Sequence, residues 1–376
     1  MIIVVGAGPA GLAAARQVRA CGQPVTVIDD NPGPGGQIWR GEPIDLQGAH
    51  LLAGTRVLSI DAAGHTVLTE SHAGSATLHY SKLILATGSR ELLLPFPGWT
   101  LPGVFGAGGL QALTKSGLHV AGKRVVIAGS GPLLLAVAAL LRRKGANIIL
   151  IAEQAPLAAL PAFGAAVLRN PGKLKQGVGL AWALAGVPYV TNCWVEAAEG
   201  HDHLERVHLR RGSHRWVEEC DYVAVGYGLV PNDELQSLGG DSDIIIAGTG
   251  DAERSTLEGT AAGYLAVGQP EQAPDLGQAR AFDATLRRVF ALNPELRKLP
   301  KADTLVCRCE DVTLNRLTPW TSFRAAKLQT RCGMGPCQGR ICGPATRFLF
   351  GWQDTSVRPP AFPARIGSLA TNEETS

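Results

Sequence analysis

Ile2-Ile3-Val4-Val5-Gly6-Ala7-Gly8-Pro9-Ala10-Gly11 opens the chain: four β-branched residues, then three glycines spaced Gly-x-Gly-x-x-Gly. The branched run predicts a strand buried on both faces, and the helix formers from Leu12 to Ala20 predict a helix directly after the turn. Val25 to Ile28 predict a second strand, ending at Asp29 and Asp30. Strand, glycine turn, helix and a second strand closed by an acid make a βαβ unit of the dinucleotide-binding kind. Gly6 permits the tight turn, Gly8 lets a pyrophosphate approach the backbone, and Gly11 lets helix and strand touch. Pro9 and Ala10 start the helix, where unpaired N–H groups and the helix dipole favour an anion. Asp29 lies 18 residues past Gly11, where a carboxylate accepts hydrogen bonds from ribose hydroxyls, and Asp30 stands beside it.

The pattern recurs about 120 residues later. A strand (Val125 to Ala128), the turn Gly129-Ser130-Gly131-Pro132, a helix (Leu133 to Lys144) and a strand (Asn147 to Ile151) follow one another. Gly129 and Gly131 keep the first two glycines, but Leu134 stands at the third position, so this helix cannot sit as close to its strand. Glu153, just past the second strand, is placed for ribose hydroxyls, and no arginine pair marks a 2′-phosphate site. An adenine nucleotide in a structural role stays open here, whereas productive hydride transfer from NAD(P)H is not expected.

The reading is therefore α/β, with two Rossmann-type domains and a small C-terminal domain. The expected boundaries are residues 1–120 with 226–267 for the first nucleotide-binding domain, and 121–225 for the second. Residues 268–300 follow as a linker, 301–350 as a cysteine-bearing domain, and 351–376 as an extended tail that frays.

Composition limits the function. The 376 residues hold 35 Lys+Arg against 32 Asp+Glu, a net charge of +3 that excludes a nucleic-acid binder working by bulk charge. Hydrophobic residues make up 45%, which excludes a disordered chain. The longest apolar stretch, Pro132 to Leu141, is about half of a bilayer span and is stopped by Arg142, Arg143 and Lys144. The N-terminus has no basic segment before its apolar run. These features predict a cytosolic protein, at most peripheral to the inner membrane face. None of the nine histidines has metal-ligand spacing, and no triad or carboxylate pair marks substrate chemistry.

Three further segments favour FAD over NAD at the first site. Leu83-Ile84-Leu85-Ala86-Thr87-Gly88 and Ile244 to Asp251 are strands ending in tight turns, and the small-residue run Glu258 to Gly263 follows the second. Here the sequence resembles the two-dinucleotide-domain flavoproteins, the group that includes thioredoxin reductase. The resemblance implies that the Thr87-Gly88 turn covers FAD and that Gly250-Asp251 meets the ribityl–phosphate region. It also implies that Gly35-Gly36-Gln37 lies near the flavin. The redox Cys-x-x-Cys of a thioredoxin reductase is missing, and Cys193 and Cys220 stand alone, as buried apolar residues do.

Five of the eight cysteines lie between Cys307 and Cys342, a cluster that points to metal ligation rather than a disulfide framework. Cys307-Arg308-Cys309 is a C-x-C pair, and Cys332, Cys337 and Cys342 follow among glycines at 333, 335, 339 and 343. Thiolates in this number suit zinc or an iron–sulfur cluster, and unligated thiols are the third alternative. Zinc pairs are usually spaced by two to four residues, which C-x-C is not, so [2Fe–2S] is favoured. Residues 301–350 also carry eight Lys/Arg and three acids, a surplus that offsets thiolate charge. The segment resembles the bacterioferritin-associated ferredoxin type of [2Fe–2S] domain. That resemblance assigns Cys307, Cys309, Cys337 and Cys342 as ligands, leaves Cys332 spare, and leaves open whether it replaces one of them.

Asp30 to Ile38, Gly129 to Leu135, Val225 to Asn232 and Thr330 to Arg340 make the whole chain, to about residue 366, similar to a narrower family. These are the α subunits of heteromeric amine or imino-acid dehydrogenases of the opine oxidase, D-hydroxyproline or proline dehydrogenase and hydrogen cyanide synthase type. The family implies a β subunit resembling D-amino-acid oxidase that carries substrate chemistry on its own flavin. It also implies a small ferredoxin-like γ subunit. A second flavin at the subunit interface, or an adenine nucleotide at the second site, are the further occupants it leaves open. The stretch Trp39 to Leu51 is shorter than in typical members.

Overall fold

The computed structural model describes residues 1–239, 243–248, 250–353 and 357–370. The chain opens with β1 (Ile2–Val5), α1 (Pro9–Ala20), β2 (Val25–Ile28) and β3 (His50–Leu52). A meander follows, β4 (Arg56–Asp61), β5 (Thr66–Ser71) and β6 (Gly74–His79), then β7 (Lys82–Leu85) and β8 (Ser89–Glu91). β9 (Val104–Gly106), α2 (Ala107–Lys115), β10 (Arg124–Gly129), α3 (Leu133–Arg143) and β11 (Asn147–Glu153) come next. After them are α4 (Leu160–Leu168), α5 (Pro171–Ala183), β12 (Tyr189–Thr191), β13 (Cys193–Glu199), β14 (Arg206–Arg211), β15 (His214–Glu219), β16 (Tyr222–Gly226) and β17 (Leu229–Pro231). The remainder is β18 (Ile244–Ile246), α6 (Ala252–Ala266), α7 (Gly277–Val289), β19 (Leu305–Cys307), β20 (Val312–Thr313), α8 (Leu314–Leu317), α9 (Phe323–Thr330), α10 (Cys342–Phe350) and α11 (Ile366–Ala370).

Two compact units result. Met1–Arg90, Pro231–Arg280 and Ser356–Ser376 form one, and Glu91–Val230 with Ala281–Thr355 forms the other. Each is built on a five-stranded, wholly parallel sheet, ordered β18-β7-β1-β2-β3 in the first and β12-β11-β10-β16-β9 in the second. Strands buried on both faces in such sheets read as unbroken apolar runs, and β1 (IIVV) is buried throughout. Each unit adds an antiparallel three-stranded sheet, β4-β5-β6 or β13-β14-β15.

In the first unit the strand order reverses between β1 and β7, and in such sheets ligands bind past the carboxyl ends of the strands at that point. α1 and α6 pack there through small residues. A Cβ built on Gly259 would stand 2.0 Å from the Ala10 carbonyl oxygen, and one on Gly263 would stand 2.6 Å from the Gln17 Cβ. The run Gly259 to Gly263 is thus an allowance for helix–helix approach.

The boundaries differ from the expected ones. Residues 91–120 belong to the second unit, because β9 pairs with β16 and α2 packs beside it. The segment expected as a linker is one only over its Pro/Gln/Gly run. α7 covers 277–289, and Leu296 and Leu299 join the second unit's core. The cysteine segment belongs to that same unit. The described part of the tail is held rather than frayed. Ala361 donates its N–H to the Leu58 carbonyl (2.7 Å), and Glu70 accepts from the Arg365 N–H (2.9 Å) and the Ser368 hydroxyl (2.5 Å). Residues 354–356 and 371–376 of the tail lie outside the described residues.

Candidate functional site

Residues singled out in distant parts of the sequence meet at the carboxyl ends of β1, β2, β7 and β18. Gly6 turns at φ +104°, and a Cβ there would stand 2.2 Å from the Ala86 carbonyl oxygen, so only glycine fits between β1 and β7. Gly11 is similarly pinned, its Cβ position being 1.7 Å from the Gly6 carbonyl oxygen. Gly8 differs. It caps α1 at φ −79° with no side-chain cap, and a Cβ on it would meet nothing within 4 Å. The α1 N-terminus therefore keeps unpaired N–H groups beside empty space, which is the cradle a pyrophosphate needs.

Asp29 is buried, its carboxylate accepting from the Ala7 N–H (2.5 Å) and the Asn31 N–H (2.8 Å). Asp30 points outward and pairs with Arg56 at 3.4 Å, so of the two acids Asp29 is the one held at the glycine turn. Gly36 (φ +57°) brings the loop against Gly8, with its Cβ position 3.0 Å from the Gly8 Cα, and Gln37 follows, accepting from Arg40 at 3.1 Å. Thr87 is clamped by Asn232, which ends the Val225 to Asn232 family segment but is given no site role from the sequence. Asn232 donates its amide N–H to the Thr87 carbonyl (2.8 Å), while the Thr87 hydroxyl donates to the Asn232 carbonyl (2.7 Å). Gly88 (φ +67°) has open space at its Cβ position. Asp251 caps α6, accepting from the Arg254 N–H at 3.0 Å, beside Gly250. Thr249, within the same expected turn, lies outside the described residues.

The second glycine loop is built alike and filled differently. Gly129 (φ +144°) leaves no room for a Cβ, which would stand 1.9 Å from the Gly226 carbonyl oxygen. Over Gly131 (φ +92°) lies the ring of Phe290, 3.7 Å from where a Cβ would be. The backbone of the Phe290 segment is tied down there. The Ser130 hydroxyl donates to the Phe290 carbonyl (3.0 Å), and the Gln154 amide donates to the Ser130 hydroxyl (2.8 Å) and the Ala291 carbonyl (3.2 Å). Glu153 is fully buried, accepting from the N–H groups of Gly131 (2.7 Å) and Ala155 (2.8 Å), as Asp29 accepts from Ala7 and Asn31, and from the Tyr189 hydroxyl (3.4 Å). Burial pushes its carboxyl up to about 7. Leu134, at the third glycine's position, is buried among the core residues behind α3.

The cysteines converge. The β19–β20 hairpin presents Cys307 and Cys309, the loop after α9 presents Cys337, and Cys342 starts α10. A cavity of about 220 Å³ is lined by Cys307, Cys309, Cys337 and Cys342 with Leu93, Arg308 and Ile341. Cys332 is not part of that lining, but its buried sulfur lies within 4.8 Å of those of Cys307 and Cys342. S–H donation from Cys332, then from Cys342, pulls the Cys307 thiol down to about 2, and the N–H groups of Gly333 and Glu310 also point at its sulfur. The glycines are needed here. Gly333 and Gly339 have φ +82° and +83°, and a Cβ on Gly335 would stand 2.3 Å from the Cys309 Cβ. Four soft thiol donors around one cavity, with backbone N–H groups aimed at sulfur, fit an iron–sulfur cluster.

Cys193 and Cys220 stand apart from this chemistry: both are buried, and burial pushes each thiol up to about 12. Alkylation of the native chain at pH 8 is expected to leave both unmodified in peptide mass maps, and labelling of either in the folded protein would contradict their burial.

With this geometry in hand, the comparisons place the chain. Residues 1–245 match the model of the pyridine nucleotide-disulphide oxidoreductases, and the chain belongs to that family. It is 30% identical to an opine oxidase subunit of Rhizobium meliloti (strain 1021), over 98% of each chain. It is 29% identical to hydrogen cyanide synthase subunit HcnB of Pseudomonas protegens, over 96% of this chain and 95% of that one. Among solved structures, L-proline dehydrogenase from P. horikoshii superposes with a TM-score of 0.66 at 19% identity, covering 98% of this chain and 78% of that one. Thioredoxin reductase of T. acidophilum superposes with a TM-score of 0.54 at 19% identity, over 72% of this chain and 98% of that one. The chain is thus an oxidoreductase of the flavoprotein reductase fold, and among the described residues no helix is long and apolar enough to cross a membrane.

Proposed function

We propose that this chain is the electron-conducting α subunit of a heteromeric flavoprotein dehydrogenase acting on a secondary amine or imino acid of the hydroxyproline, proline or opine type. The observation that carries this reading is the meeting of four cysteines around one cavity, in a chain that also holds an open pyrophosphate cradle at Gly8. The relatives support it, being named as subunits of an opine oxidase and a hydrogen cyanide synthase. Substrate oxidation falls to a β subunit resembling D-amino-acid oxidase, and a small ferredoxin-like γ subunit completes the complex.

The residues have separate tasks. The α1 N–H groups beside Gly8 bind the pyrophosphate, Asp29 holds the ribose, and Thr87-Gly88, Gly36-Gln37 and Asp251 border the flavin. Cys307, Cys309, Cys337 and Cys342 hold a [2Fe–2S] cluster. When bound, FAD supplies two-electron chemistry and the cluster one-electron chemistry. Anaerobic purification of the complex from native cells, with flavin, iron and sulfide assays and an amine substrate screen, tests the assignment. A colourless chain, or one holding only zinc, would refute it.

The competing reading is a self-sufficient NAD(P)H-dependent reductase of a ferredoxin or disulfide partner. It requires a pyrophosphate at Gly131, where the Phe290 ring lies. Mixing the FAD-loaded chain anaerobically with NADH or NADPH is expected to leave the flavin band unbleached. Rapid bleaching in a stopped-flow trace would favour the reductase.

A further inference from the structure

Charge is unevenly spread along this chain. Residues 301–350 carry eight Lys/Arg against three acids, while the other 326 residues carry 27 against 29. The thiol cavity of that basic segment has a dry side and a wet side. Cys307 and Cys342 are buried, Cys337 is half-buried and Cys309 is exposed. Beside Cys309, the exposed Arg308 is held over the ring of Trp99, 5.3 Å from its centroid. Arg331 remains largely exposed although it pairs with Glu310 at 2.7 Å. Gly335 backs onto Cys309, its Cβ position 2.3 Å from the Cys309 Cβ, and its chain neighbours Met334 and Pro336 are exposed. Around the exposed Cys309 the chain thus offers exposed apolar residues and two arginines, Arg308 over Trp99 and Arg331 paired with Glu310, with the exposed Asp311 close by in the sequence.

We propose that this face docks a diffusing, acidic one-electron carrier protein and that Cys309 marks the point of electron exit. The proposal rests on the [2Fe–2S] reading above. A cluster held by the four cysteines would, once reduced, pass one electron to the oxidised carrier, with no bond made or broken and no proton moved. Exposed charges at a rim mainly steer encounter and choose the partner's sign, and their effect is screened by salt. A short-lived complex with an acidic carrier is what such a surface favours.

The test uses the full chain loaded with its cofactors, reduced by dithionite and desalted anaerobically. It is mixed with acidic plastocyanin or with basic cytochrome c, and binding of the oxidised chain to each immobilised carrier is measured in parallel. At low salt, plastocyanin is expected to be reduced about tenfold faster than cytochrome c, with the advantage lost at about 0.5 M salt. Arg308→Glu is expected to slow plastocyanin about tenfold and weaken its binding, while Arg308→Lys retains most of both. Equal, salt-independent rates for the two carriers from cluster-loaded protein would overturn the docking surface alone. So would salt-sensitive binding to phosphatidylglycerol vesicles without binding to plastocyanin, which would assign the face to a membrane. Absence of iron and sulfide from the wild-type chain would instead overturn the cluster on which the proposal stands.

Discussion

Gly6→Ala and Gly8→Ala, two residues apart in one turn, are expected to fail in different ways. Alanine at Gly6 must adopt φ +104° and place its methyl 2.2 Å from the Ala86 carbonyl oxygen, which is backbone and cannot swing aside. The strain and the forced separation of β1 from β7 together cost about 4 kcal/mol or more, a large fraction of a domain's ordinary stability. The variant is expected to purify without flavin and with a lowered thermal midpoint even as apoprotein. Alanine at Gly8 meets no protein atom within 4 Å and has an ordinary backbone conformation, φ −79°. Its folding penalty is that of alanine at a helix N-cap, about 1 kcal/mol. The methyl instead occupies the approach to the free α1 N–H groups. Losing charge-assisted hydrogen bonds worth about 1.5–3 kcal/mol weakens FAD binding by about tenfold to a hundredfold. Apoprotein melting and FAD titration separate the two effects. A Gly8→Ala chain that melts like the wild type and binds FAD equally well would show that no pyrophosphate lies there.

The contrast also marks how far the sequence could be read. Local rules sufficed for β1, the Gly6 turn, α1 and Asp29, because strand, turn and cap chemistry act within one βαβ unit. They also located the cysteines, whose spacing survives into the cavity around Cys307, Cys309, Cys337 and Cys342. Contacts of large sequence separation were not legible. Phe290 reaches Gly131 from 159 residues away, and nothing in Val289-Phe290-Ala291 announces a ring over a glycine loop. The run of Pro, Gln and Gly before α7 suggested a linker, yet the leucines behind it belong to a core made by β10, β13 and β14. Asn232 offers one faint signal, an amide two residues past the boundary between the units, but its partner Thr87 lies 145 residues earlier.

The five clustered cysteines give the second large effect. Cys337→Ser is expected to abolish the cluster's visible absorption and its iron and sulfide while FAD remains, because a ligand facing the cavity is replaced by a harder, less acidic hydroxyl. Cys332→Ala is expected to retain iron and sulfide near wild-type content, since Cys332 does not line the cavity. What it removes is an S–H donor to Cys307. Hydrogen bonds to cluster sulfur raise a reduction potential by stabilising the more negative state, so the midpoint of Cys332→Ala should move to a lower value. Cys332→Ser, which restores a donor, should recover part of that shift. The pair discriminates because both cysteines sit in the same glycine-rich loop, and misfolding of that loop would strip iron from both. Loss of the cluster from Cys332→Ala with retention in Cys337→Ser would reverse the ligand assignment, making the buried trio Cys307, Cys332 and Cys342 the core of the metal site.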